Sequence, residues 1–323
     1  MPLLCLILAG CGHEDTVDPG TWNSYRNPVW QADIQNPSVL AEGGSFYLFS
    51  SETADVQLPM AASDNLTGWD ATGSAIDDAG RPDFIAGGTL EAPEIAAVGG
   101  KYLLYYSLYK SDASCGIGVA VADVPTGPFV DQGALLTSTE SGLQGVHSPS
   151  FLADGDTNYL VFGRYHGIYI VKLSADGLSV APGSAPVRIA AEHLDDPCLF
   201  KRDGKYCLFV SSGTVSGASS TCRIIAGRAD RPEGPYFSRE GSDMLAGGGD
   251  TIIGSGVKFA GPGHGCVVSL PDGSDWMVYN AYDLSDVAKG RTLMLDRILW
   301  TDGWPSVRGA ISSFCTDAPA VQP

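Results

Sequence analysis

QADIQNPSVLAEGGSFYLFSS (residues 31–51) sets an asparagine before a proline, runs into a short apolar strand, turns at two glycines and returns through a second strand with an aromatic centre. The unit recurs. Aligned on proline it reads QNPSVL at Pro37, EAPEIA at Pro93, HSPSFL at Pro149, DDPCLF at Pro197 and, more loosely, GPGHGCVV at Pro262, with spacings of 56, 56, 48 and 65 residues. Each copy leads to an aromatic-centred strand: GSFYLFSS (44–51), GKYLLYYS (100–107), TNYLVFGR (157–164), GKYCLFVS (204–211) and SDWMVYNA (274–281). Further strands such as GIGVAVADV (116–124) and CRIIAGRAD (222–230) end in the turns PTGPF and PEGPY. The strands alternate, are rich in Val, Ile and Tyr, and are bounded by Gly, Asp and Pro, which marks them as β rather than helix.

Several short strands per unit, repeated at about 50 residues, predict an all-β, five-bladed β-propeller, because radial repetition leaves only short, protected sheet edges. A double-sheet sandwich gives no reason for the same unit to return five times. In a propeller the first strand of each blade lines the central channel, and its first position tolerates a proline because it need not donate to the ladder. The period therefore predicts that Asn36, Glu91, Ser148, Asp195 and His264 converge on one polar pocket at the funnel mouth.

Bulk composition fits this reading. Of 323 residues, 41 are glycine and 20 proline, 44% are hydrophobic and only 17% charged, as in a loop-rich globular protein. The net charge of −18 excludes nucleic acid and an anionic membrane surface as partners, since both need a cationic footprint. At the amino terminus, MPLLCLILAGCGHED has a short apolar core followed by Leu8-Ala9-Gly10-Cys11, which looks like a lipoprotein lipobox with Cys11 as the lipidated residue, although no Lys or Arg precedes the core. Residues 1–20 are accordingly expected to be a lipoprotein signal and tether, and 21–323 the propeller, held on a bacterial envelope or outer membrane through Cys11 or secreted, and monomeric. The remaining cysteines lack Cys-x-x-Cys spacing and are expected to be mostly buried free thiols.

RNPVWQADIQNPSVL (26–40), LEAPEIAAVGGKYLLYYS (90–107), FGRYHGIYIVKLSADGL (162–178), FAGPGHGCVV (259–268) and GRTLMLDRILWTDGWPSV (290–307) together resemble glycoside hydrolase family 43, near its arabinanase and arabinofuranosidase branches. The resemblance implies an inverting hydrolase of arabinose- or xylose-containing plant polysaccharide with three carboxylates: a base before the first blade's proline, a tuning Asp before the third's, and an acid Glu two residues before the fourth's. Carried over, these roles fall on Asn36, Ser148 and Asp195. Inverting chemistry needs a protonated acid and an ionised base about 6.5–9.5 Å apart. Asn36 has no carboxylate, Ser148 removes a charge that would help keep the acid protonated, and Asp195 is one methylene shorter than Glu, a reach that Asp196 could make up.

Asp33 is the nearest carboxylate to the altered base position, though a turn residue bonding its own backbone is the other reading. Glu91 and Glu94 at the second blade's mouth are candidates for substrate binding, and His147 for proton carriage beside Ser148. The resemblance places His264 on the channel floor, facing sugar or a central cation. No cofactor is required, and at most a structural Ca²⁺ with His264 as ligand is expected, although calcium takes six to eight oxygens. The alternative to an enzyme is a degenerate propeller that binds glycans without cleaving them. A phosphorylase needs cations at the mouth, and the proline motifs and their flanks offer only Arg26, Lys201 and Arg202. If only the base charge is missing, Asn36→Asp, with Ser148→Asp as companion, should raise turnover.

Overall fold

A computed structural model describes residues 23–321. Its strands form five four-stranded antiparallel sheets, each from consecutive segments of chain, and a separate two-stranded ribbon of Ser24–Arg26 with Cys315–Asp317. The sheets span residues 38–74, 89–137, 150–190, 194–253 and 259–306, and are blades one to five of a β-propeller. The only α-helix among the described residues is the single turn Ser138–Ser141. No helix there is long and apolar enough to cross a membrane. Residues 1–20, with Cys11, lie outside the described residues.

Five apolar clusters hold the ring together, one at each blade junction. Phe49, Leu90, Leu104 and Tyr106 join blades one and two. Leu103, Tyr105, Leu160 and Phe162 join two and three. Ile170, Leu194 and Leu208 join three and four, and Phe209, Ile224, Met277 and Tyr279 join four and five. Phe46, Leu48, Trp276 and Leu295 close the circle, with Tyr25 and Ile34 filling the seam. Because each sheet is covered on both faces, middle strands lose the expected alternation: Leu103, Leu104, Tyr105 and Tyr106 are all buried. Full burial contributes about 1.5–3 kcal/mol for each large apolar side chain.

Polar bonds complete the closure. In the inner strands, Ser38 Oγ accepts Ile95 N–H, Glu94 Oε1 accepts Phe151 N–H and Ser150 Oγ accepts Leu199 N–H, each from the next blade. Cys198 and Cys266 repeat the device toward Val267 and Val39. Five side chains, one per blade, thus bind each inner strand to its neighbour. The six described cysteines are free, three of them fully buried. The segment before blade one runs beside the third strand of blade five: Val29 N–H donates to Leu293 O, Leu293 N–H to Trp30 O and Ile34 N–H to Arg291 O. The segment that leads into blade one is thereby tied to blade five.

Candidate active site

One residue at the head of each inner strand adopts a left-handed backbone: Asn36 (φ 53°), Ala92 (46°), Ser148 (52°), Asp196 (50°) and His264 (45°); in blades two, four and five the strand bulges there. Such conformations cost of order 1–3 kcal/mol each for a residue other than glycine, and cluster where surrounding structure imposes them. These five form the ring at the funnel mouth. The sequence reading placed Glu91 and Asp195 in this ring; they stand one residue earlier, and the ring places belong to Ala92 and Asp196. In blade five the ring residue is His264 followed by Gly265, so Gly265 rather than Pro262 matches the prolines of the other blades.

A serine on or just beyond a second strand holds three of these left-handed residues. Ser51 Oγ accepts Ala92 N–H, Ser107 Oγ accepts Ser148 N–H and Ser211 Oγ accepts His264 N–H, all at 2.9 Å. Between blades three and four the corresponding residue is Gly163, which has no side chain. Asp196 N–H instead donates to Asp195 Oδ1 at 2.8 Å.

Asp196 Oδ1 sits where three blades meet. Ser148 Oγ donates to it at 2.8 Å, Asn36 Nδ2 lies at 3.3 Å and His264 Nδ1 at 3.0 Å, while Ser211 Oγ donates to Oδ2 at 3.2 Å. Burial alone would raise the Asp196 pKa, but His264 and Ser148 overcome it and hold the carboxyl well below the usual range. Asp195, 8% exposed, moves the other way. Burial raises its pKa, the neighbouring Asp196 charge raises it further, and Arg164 opposes both without cancelling them. Two adjacent carboxyls with pKa values driven apart are an acid and its charged partner.

Asn36 offers no base. Its Oδ1 accepts Ser51 Oγ–H at 3.1 Å, and its Nδ2 faces His264 Nδ1 at 2.8 Å as well as Asp196. From Asp196 a chain of contacts runs outward, with His147 Nδ1 2.8 Å from Ser148 Oγ and His147 Nε2 3.1 Å from Glu91 Oε2. Its three links, Asp196 to Ser148 to His147 to Glu91, need three hydrogens. A serine hydroxyl and a neutral imidazole supply two, so the third is carried by His147 or by one of the end carboxyls. Burial pushes His147 down, and the Glu91 bond pulls it up; Glu91 is held below the usual range because His147 and Arg164 outweigh its burial.

Above this ring opens a cavity of about 760 Å³, lined among others by Asp33, Asn36, Glu91, Tyr165, Asp195, Asp196 and Tyr282. Ser148 and His147 lie beneath it, fully buried, and His264 beside them is nearly so. Asp33 is at the exposed rim, where its Oδ1 accepts Arg291 N–H at 2.9 Å and its Oδ2 accepts Gln35 Nε2 at 3.2 Å; it braces the seam rather than its own turn. Glu94 does not reach the cavity. It lies deeper in the channel, accepting Ser38 Oγ–H at 2.8 Å and Phe151 N–H, with its pKa raised by burial against those bonds. The expectation that it binds substrate is corrected: its polar atoms are consumed in closing the ring.

Two arginines escaped the sequence reading. Arg164 and Arg291 line the cavity, whereas Arg26, Lys201 and Arg202 do not. Arg164 follows directly on a second strand, at the channel end of blade three, a position the repeat already marks. Arg164 lies 3.5 Å from Glu91 and 4.6 Å above the Tyr109 ring, whereas Arg291 Nη2 donates to Gly261 O at 2.9 Å and its guanidinium forms no ion pair among the described residues. Among the described residues no group of three or more His, Cys, Asp or Glu stands together as a metal site, and His264 Nδ1 faces Asn36 and Asp196.

Residues 25–305 match the model of glycosyl hydrolases family 43. The chain is 31% identical over 291 residues to extracellular endo-alpha-(1->5)-L-arabinanase 1 of Bacillus subtilis (strain 168), covering 84% of this chain and 87% of that protein. It is 27% identical over 305 residues to the extracellular exo-alpha-(1->5)-L-arabinofuranosidase ArbA of Cellvibrio japonicus, covering 86% and 87%. Among solved structures it is similar to Cellvibrio cellulosa alpha-L-arabinanase complexed with arabinohexaose, with a TM-score of 0.79, 26% identity, and coverage of 86% of this chain and 96% of that one.

Proposed function

The chain belongs to glycosyl hydrolases family 43, and from that premise we propose that it cleaves α-L-arabinofuranosidic bonds of arabinan-type plant polysaccharide outside the cytoplasm, with Asp195 as general acid. The observation that carries the reading is the Asp195–Asp196 pair at the floor of the cavity, where burial and the Asp196 charge push Asp195 up while His264 and Ser148 hold Asp196 down against its own burial. Tyr165 and Tyr282 on the wall suit the apolar faces of sugar rings, and the lining carboxylates suit their hydroxyls. In the step, the C–O bond to the leaving sugar breaks as Asp195 gives its proton to the departing oxygen. A water oxygen bonds the anomeric carbon, and its surplus proton passes to solvent because Asn36 Oδ1 is already engaged by Ser51. Without a base, turnover should lie about 10²–10⁴-fold below that of a complete site. The relatives' names, together with the lipobox reading of Cys11, support export with a lipid tether, and the closed ring of blades supports a monomer.

The engaged amide of Asn36 also favours a second reading, glycan binding without cleavage. Both are tested by incubating the protein with arabinan, aryl α-L-arabinofuranoside and aryl β-xyloside and assaying released reducing sugar or phenol. Hydrolysis of the arabinosides that falls at least about 100-fold in Asp195→Ala supports the enzyme. Binding of arabinan by calorimetry with no product above background replaces it with the second reading.

A further inference from the structure

We propose that Asp196 is a positioning residue that keeps the proton on Asp195, supplying from the ring of blade four the negative charge that neither Asn36 nor Ser148 provides. The proposal rests on the hydrolase reading for its purpose but not for its geometry. Asp195 and Asp196 are sequence neighbours whose carboxyls hydrogen-bond each other in a buried site. Two such groups cannot both ionise, so one carries a proton. The donors decide which. Asp196 is faced by Ser148, Ser211, Asn36 and His264, drawn from four blades with its own. Asp195 receives only the Asp196 amide, which reaches it because Gly163 lacks the side chain that takes the matching amide at three other junctions. The proton therefore belongs to Asp195, whose hydroxyl donates to Asp196.

The other groups facing Asp195 do not reverse this. Arg164 and Tyr165 approach from blade three and Cys222 from blade four. Tyr165 stays a phenol and Cys222, pushed up to about 11 chiefly by burial, stays a thiol. Arg164 is the one opposing charge, and it is shared with Glu91 and Asp196. Around Asp196 stand Glu91, through His147 and Ser148, and His264, while Arg291 Nη2 converges with Ser211 Oγ and Cys222 Sγ on Gly263 and so adds a positive charge on the Asp196 side. The same contact bars Asp196 from serving as the base. Inverting hydrolysis needs carboxyls about 6.5–9.5 Å apart to admit a water, and these two touch.

The test reads Asp195 without requiring turnover. In protein labelled with ¹³C-carboxyl aspartate, with the Asp195 signal identified by its loss in Asp195→Asn, Asp195 should titrate well above ordinary carboxylates. In Asp196→Asn its midpoint should fall by about 1–3 pH units. In Asp196→Asn combined with Ser148→Asp it should rise again, because the charge returns from blade three. If Asp196→Asn does not fold, Asp196→Gly suits the left-handed backbone and should show the same fall. An Asp195 midpoint unchanged in the folded variant overturns the proposal. Where the arabinosides are hydrolysed, the alkaline limb of kcat/KM should move down with the NMR midpoint. The NMR fall without any hydrolysis in the wild type leaves this role standing and rejects the enzyme reading alone.

Discussion

A carboxylate placed at position 36 would meet Asp196 Oδ1 at the 3.3 Å now spanned by the Asn36 amide nitrogen. Two unit charges at that separation repel by about 5 kcal/mol at an effective dielectric constant of 20. Asn36→Asp alone should therefore take up a proton instead of acting as a base, and arabinoside turnover should not rise. This reverses the expectation drawn from sequence, and it changes the companion: Ser148→Asp would add a third charge at 2.8 Å from Asp196. Asn36→Asp with Asp196→Asn moves the charge instead of adding one. Turnover should then rise by up to about 10²–10⁴-fold. The gain should appear at acidic pH, where Asp195 keeps its proton without the Asp196 charge. A pH profile of the single and double variants checks this, and a gain in the single variant would show that Asp196 is not ionised. The Asn-Pro at the funnel mouth thus has a physical reason: in blade one an amide, not a carboxylate, is compatible with Asp196.

At the scale of the strand, the repeat alignment was nearly sufficient. It placed Asn36 and Ser148 at the ring because the left-handed residue directly precedes the proline, and His264 through its Gly-His-Gly segment. It misplaced Glu91 and Asp195 by one residue, since a repeat fixes which residues correspond but not which of two adjacent ones turns inward at a bulge. A left-handed backbone at Asp196, unlike that of Asn36 or Ser148, was screened by the adjacent Asp195, the residue the resemblance singled out. The same limit explains Glu94, which occupies the place of Ser38, Ser150, Cys198 and Cys266 and shares their work of binding the next blade. That role carries a pH signature. The Glu94 pKa is raised in the fold, by burial above all, so the unfolded chain gives up this proton first and stability falls as pH climbs from the ordinary Glu value through the folded one. Glu94→Gln keeps an acceptor for Phe151 N–H and reverses the Ser38 contact, the amide donating where the carboxylate accepted. Its melting temperature should match the wild type near pH 4 and exceed it near pH 8; an unchanged pH dependence would show that Glu94 is as easily ionised folded as unfolded.

Taken whole, the molecule separates what builds it from what it does. Five apolar junctions, five inner-strand bonds and the seam beside Leu293 hold the ring, to which Asp195 adds backbone pairing with Ser211 and Arg164 while its carboxyl faces the cavity. The propeller was legible because its period is written in proline, glycine and aromatic residues over some 250 positions of the 323. The pocket's charge pattern was not, because it depends on side chains from four blades meeting at one carboxylate, and no local stretch records that meeting. The central claim is that this pocket still hydrolyses its sugar by proton transfer from Asp195, although its first blade carries no base. The most direct measurement follows an aryl α-L-arabinofuranoside by ¹H NMR from the first turnover, with wild type and Asp195→Asn compared at equal substrate occupancy. The account predicts slow release of arabinose, with the anomer of inverted configuration appearing first, and loss of that release in Asp195→Asn with binding retained. Occupancy of the pocket with no arabinose released, or release that persists in Asp195→Asn, would contradict it.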